Sequence, residues 1–280
     1  MEWSEYVDEV MADGLPDNQY REGYDWQGFN TWEDLRTLAV DGYHVDVDVE
    51  HLLSWVETDL GTGEMESFSS TFDVAGDEVD IARFIDGEPE NMMTSQIMKV
   101  MKTGRVISLY VPIAISSTVK AEEILARGRA ILTLVELFKR KQHPLEIWAV
   151  DACNGMNDSN DNYKRRACVV IKVQAADQPL DDGRVMFALA HPGMLRGLGF
   201  KYRDITSVGN AKVREVWGSG EMYGRPSFSV EDQDIMSDHE HSIVLPPLNT
   251  HLDYGNNSWQ NDKFAGQWIE AMLQLIEQGA

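Results

Sequence analysis

Cysteine is scarce: the 280 residues contain only Cys153 and Cys168, too few for the disulfide framework of a small exported domain. The two flank a polar loop, where ordinary thiols are the expectation and a bridge across a hairpin is the alternative. No apolar run approaches the roughly 18 residues that span a bilayer. The opening stretch, MEWSEYVDEV, has neither the basic start nor the apolar core of a secretory signal. The expectation is a soluble intracellular protein with no membrane partner. Cations are also sparse, with 24 Lys and Arg against 47 Asp and Glu, for a formal charge of −23. Missing too are the phosphate-cradling Gly-x-x-x-x-Gly-Lys, the dinucleotide Gly-x-Gly-x-x-Gly, the Gly-x-Ser-x-Gly elbow and any paired zinc motif. These absences lower the case for an enzyme without excluding one, and no cofactor is implied.

What is present is enough apolar content, 43%, to bury a large core in one domain or two. Charge is unevenly spread. Residues 1–91 hold 25 Asp and Glu against 3 Lys and Arg, residues 92–230 hold 13 against 20, and residues 231–280 hold 9 against 1. Acidic ends therefore flank a mildly basic centre. Three readings compete: a solvated acidic surface, a contact between the acidic arms and the basic centre, or a surface aimed at a nucleic-acid-binding partner. Direct nucleic-acid binding is disfavoured, because phosphate contacts need clustered Lys and Arg on an accessible face.

The stretch from Gly104 to Asp151 organises the rest. A β-branched apolar run, Val106 to Ile115, passes through Ser116-Ser117-Thr118 into a helical pattern of roughly 20 residues, and a second apolar run spans Leu145 to Val150. This predicts a strand, a crossover helix and a parallel strand. Ser117 or Thr118 is placed to cap the helix, Glu122 and Glu123 suit its positive end, and Lys139-Arg140-Lys141 suit its negative end. Gly128, in mid-helix, predicts close packing of that helix against the sheet.

Elsewhere the pattern predicts a short helix within the first 25 residues, then a helix near Trp32 to Val40. Thr31 and Asp34 form a variant capping box at its start. A short helix is expected from His51 to Leu60, and a strand pair or a strand and short helix from Phe72 to Phe84. A third strand of the core is expected at Tyr163 to Gln174. An apolar helix follows Pro179, a strand lies near Ile243 to Leu248, and a final helix runs from about Asn261 to Glu277. We place a boundary near residue 92, giving an acidic, aromatic-rich region 1–91 packed on an α/β core 92–280.

Candidate chemistry is thin. Asp238-His239-Glu240-His241 sets two histidines on one face of a strand, with no third ligand placed by spacing. A solvated acidic loop is the favoured reading there. His191, before Pro192, is read as satisfying a buried helix break in preference to acid-base work. Ser116, Ser117, Thr118 and Asp151 gather at the carboxyl edge of the expected parallel strands, where open α/β sheets bind ligands.

The run from Gly104 to Asp151, the following strand and QPLDDGRVMFALAHPGMLRGLGF, with the earlier FNTWEDLRTLAVDGY and VAGDEVDIARFIDGEPENMM, resemble an uncharacterised family encoded by bacteriophages and prophages. The core in turn resembles the von Willebrand factor A arrangement, whose first strand ends in a metal-binding Asp-x-Ser-x-Ser. With Ser116 as the last serine of that motif, Pro112 and Ala114 fall on the other two positions. Neither carries a side-chain oxygen for a hard cation, so no metal is expected. The resemblance implies a three-layer, mainly parallel α/β fold and the cytoplasm of an infected bacterial host. The leading expectation is a non-enzymatic protein that binds a phage or host protein through the Ser116/Asp151 edge or the acidic surface. A nucleic-acid-associated factor, its basic centre masked by acidic arms, is the alternative; a metal-dependent hydrolase ranks third.

Overall fold

A computed structural model of the chain describes residues 1–12, 24–56, 64–101, 105–116, 119–154, 166–208, 242–248 and 261–278. Contacts divide it into a larger unit, residues 1–58, 106–139 and 144–280, and a smaller one, residues 59–105 and 140–143.

The larger unit begins with α1 (Trp3–Ala12), α2 (Tyr24–Gln27), α3 (Trp32–Asp41) and α4 (Val49–Leu53). The predicted cap of α3 is present: the Asp34 N–H donates to Thr31 Oγ1 at 3.1 Å and the Thr31 N–H returns to the Asp34 carboxylate at 2.9 Å. α4 starts two residues earlier than the periodicity predicts and ends at Leu53; residues 57–60 of that expected helix lie outside the described residues.

The smaller unit contains β1 (Glu64–Asp73), β2 (Glu78–Val79), α5 (Ile81–Ile85) and β3 (Met92–Met101). β1 pairs antiparallel with β3 over its whole length, from Glu64 opposite Met101 to Asp73 opposite Met92. β2 adds two residues on the other side of β3. Asp80 caps α5, accepting from the Ala82 and Arg83 N–H groups.

The crossover forms as predicted: β4 (Ile107–Pro112), α6 (Ala121–Arg140) and β5 (Leu145–Asn154), with β4 and β5 parallel from Ile107 opposite Leu145 to Pro112 opposite Val150. Every residue of β4 is buried, as expected of a strand covered on both faces. β6 (Arg166–Gln174), α7 (Asp182–Ala190), a π-helical turn (Met194–Gly199), α8 (Phe200–Ser207), β7 (Ser242–Val244) and α9 (Asp262–Gln278) complete the chain.

Two expectations are corrected. The sheet of the larger unit, ordered β6-β5-β4-β7, is mixed and not mainly parallel: β4 runs parallel to β5 and β7, but β5 and β6 are antiparallel, and the smaller sheet is wholly antiparallel. The physical reason is connectivity. Only eleven residues, 155–165, separate β5 from β6, short of the roughly dozen or more that a parallel crossover takes, so the second strand returns beside the first. The close approach of Gly128 is also not to the sheet. A Cβ there would overlap the Ala190 methyl group, so the glycine lets α6 touch the end of α7.

Helices α1 and α7 pack on β6, α8 packs on α1, and α3 packs on α7. α9 packs on α4 through a face that buries Ala265, Trp268, Ile269, Met272 and Leu273. Among the described residues no helix is long and apolar enough to cross a membrane.

Candidate functional site

Asp151 stands one residue past the level at which β4 ends, and strand alternation turns it, with Ala149 and Ile147, toward the helices. There it meets Arg203 of α8. Arg203 Nε donates to Asp151 Oδ2 at 2.9 Å, and Nη2 donates to Oδ1. Both side chains are buried, so this is a two-pronged, charge-assisted pair inside the core. Tyr6 of α1 closes the group. Burial pushes its phenol well above the usual range and the Asp151 charge adds to that, while Arg203 acts in the opposite direction. The Tyr202 ring lies 5.1 Å from that of Tyr6; its phenol is raised by burial and then by Glu9.

Of the four residues placed at the carboxyl edge by sequence, Asp151 is thus engaged by Arg203. Ser116 is half-buried, and its carbonyl accepts the Val119 N–H at 3.1 Å. Ser117 and Thr118 lie outside the described residues, as does Asp238-His239-Glu240-His241. Among the described residues no three His, Cys, Asp or Glu side chains converge on a point.

Sequence reasoning missed the other occupants of this edge. Arg127 of α6 is fully buried and ties two backbone carbonyls together: Nη1 donates to Pro112 at 3.1 Å, and Nη2 to Pro246 at 2.8 Å. Burial lowers its pKa to about 10. Arg196, on the π-helical turn, donates from Nη1 to the Trp26 carbonyl at 2.5 Å and from Nη2 to the Val119 carbonyl at 2.6 Å. Its guanidinium also lies 4.3 Å from the Trp26 ring centre. A rigid fork of donors suits such bridging between strand ends and helix starts. The one available signal was position: Arg127 sits three after Ile124 and four before Ile131, on the apolar stripe of its helix.

His191 is buried at the break after α7, its ring 4.7 Å from Tyr43 and 5.5 Å from Phe187. Nδ1 accepts the Gly193 N–H at 3.1 Å. Burial lowers its pKa to about 4, so the ring is neutral at pH 7, with Nδ1 committed to the backbone. A cleft of about 270 Å³ beside α1 and β6 is lined by Lys172 and Arg184. Both are already paired, Lys172 with Glu2 and Glu146, and Arg184 with Asp181.

The smaller unit presents a different chemistry. None of its described side chains is buried. Ile81, Phe84 and Ile85 of α5 are 70%, 63% and 75% exposed, and Val74 and Val79 add to the apolar surface. Arg83, on the opposite side of α5, stacks 3.9 Å from the Phe72 ring centre and pairs with Glu88 at 3.1 Å. The helix is therefore inverted, with its charged residue toward the hairpin and its apolar residues outward, the reverse of the usual surface helix. Residues 71–95 hold seven Asp and Glu and the single cation Arg83.

A family model described as a domain of unknown function (DUF7192) matches residues 1–279. No curated protein and no solved structure matches the chain.

Proposed function

The chain belongs to the family of the domain of unknown function DUF7192, and from that premise we propose that it is a non-enzymatic, phage-encoded protein that binds another protein through the smaller unit. One observation carries the reading: a unit in which none of the described side chains is fully buried, while Ile81, Phe84 and Ile85 point outward. A long two-stranded ribbon with a few added residues is marginal alone, and exposed apolar patches rimmed by polar groups mark interaction sites. The cytoplasm of an infected bacterium is the setting that the sequence likeness implies. The parallel β4, α6, β5 crossover supports the von Willebrand factor A likeness of the core; the antiparallel β5 and β6 pairing departs from a mainly parallel version of it. Of the two surfaces the sequence offered, the acidic one is favoured, because Asp151 is committed to Arg203.

The nucleic-acid alternative loses support from burial. Arg127, Arg196, Lys201 and Arg203 are all buried, and they account for much of the positive excess of the central region. The test is affinity purification of the tagged full chain from infected or expressing cells after nuclease treatment, compared with the Ile81→Ser/Phe84→Ser variant. A stoichiometric protein retained by the wild type and lost from an equally stable variant is the expected result. Retention by both, or recovery of nucleic acid alone, would overturn it.

A further inference from the structure

We infer that the occupant of the α5 surface is a basic amphipathic helix of another protein. This rests on the protein-binding reading above and adds the partner's chemistry. Ile81, Phe84 and Ile85 follow the i, i+3, i+4 spacing of one helical ridge, the spacing that interdigitates with apolar anchors of a second helix. Asp77, Glu78, Asp80 and Asp86 flank that ridge in sequence, Asp80 capping the helix, while on the opposite side Arg83 is paired with Glu88 and turned toward Phe72. An apolar ridge inside an acidic rim is complementary to apolar anchors flanked by Lys or Arg. The same rim argues against the other occupants. A second copy brought up by its own α5 would set acidic rim on acidic rim, and nucleic acid or an anionic membrane would meet like charge.

The probe is a synthetic helical peptide with Leu at i, i+3, i+4 and i+7 and Lys elsewhere. Its controls are a peptide of equal composition with the leucines dispersed around the helix, and one with Glu in place of Lys. Binding to the full chain is read by fluorescence anisotropy at physiological salt. The patterned Lys peptide should bind about tenfold or more tighter than either control, and Ile81→Ser/Phe84→Ser should remove that preference with an unchanged melting temperature. Equal affinity for patterned and dispersed Lys peptides would reduce the attraction to charge alone and overturn the inference. So would an α5-dependent dimer in sedimentation, which would assign the ridge to a second copy. If the purification above yields an α5-dependent partner while the patterned peptide fails, the protein-binding reading stands and this partner chemistry falls; if neither is α5-dependent, both fall.

Discussion

Arg203 closes a two-pronged ion pair on Asp151 across 52 positions of sequence, joining α8 to β5 with both side chains buried. Removing one partner leaves the other charge uncompensated in the core, which costs about 3–5 kcal/mol. Asp151→Leu or Arg203→Met alone should lower unfolding stability by that order in a denaturant titration. The double variant should recover part of the loss, because both desolvation penalties vanish together. Equal and additive losses would remove the pair from this role.

The contact of α6 with α7 makes a second prediction. Gly128→Ala gains up to about 1 kcal/mol of helix propensity, yet its methyl meets Ala190, and overpacking costs about 1–3 kcal/mol. The net effect should be destabilising in the wild type and smaller in an Ala190→Gly background. A thermal-melt double-mutant cycle reads the difference, and a coupling of zero would show that the helices separate freely.

Acid sensitivity follows from His191. Its folded pKa of about 4 lies below the ordinary 6.5, so between those values the unfolded chain binds more protons than the folded one. Stability should be fully present above about pH 6.5 and fall as pH drops toward 4, by roughly 3 kcal/mol at most from this group. His191→Asn keeps an acceptor for the Gly193 N–H and should flatten that slope. Denaturant midpoints across pH 4 to 7 decide it, and an unchanged slope would place the acid sensitivity elsewhere.

At the start of α3, Thr31→Ala removes the acceptor for the Asp34 N–H and should cost about 1 kcal/mol, while Thr31→Ser should be nearly neutral. Amide exchange over Trp32–Leu35 localises the effect; a uniform change across the protein would argue against a local cap.

Periodicity and capping made much of this fold legible. The β-branched run of β4 and the stripe of α6 have clear repeats, and Thr31 with Asp34 announced a helix start that the structure bears out. The direction of β6 was not legible in its side-chain alternation, which reads the same either way along the sheet, and the short connection after β5 was the signal that decides it. Nor was the burial of Arg127, Arg196 and Arg203: arginine is taken as a surface residue unless its acceptors are known, and here two of the three are served by carbonyls distant in sequence. The outward face of α5 escaped notice for the opposite reason. Ile81, Phe84 and Ile85 look like a core stripe, and only their exposure reveals that the described structure covers them with nothing of its own.

The position of α1 has a consequence for the order of assembly. Trp3 lies against Phe187, Tyr6 against Tyr202, and Glu2 bridges Lys172 at the outer strand of the sheet. These partners are made one after another in β6, α7 and α8, so during synthesis this face of the early helix has to wait. Docking α1 closes long loops, 169 positions from Met1 to Val170 alone, and such contacts form only after loop-closure entropy has been met. Helix α1 is therefore made well before it can reach its seat, and a nascent chain halted before β6 would lack all three of these partners.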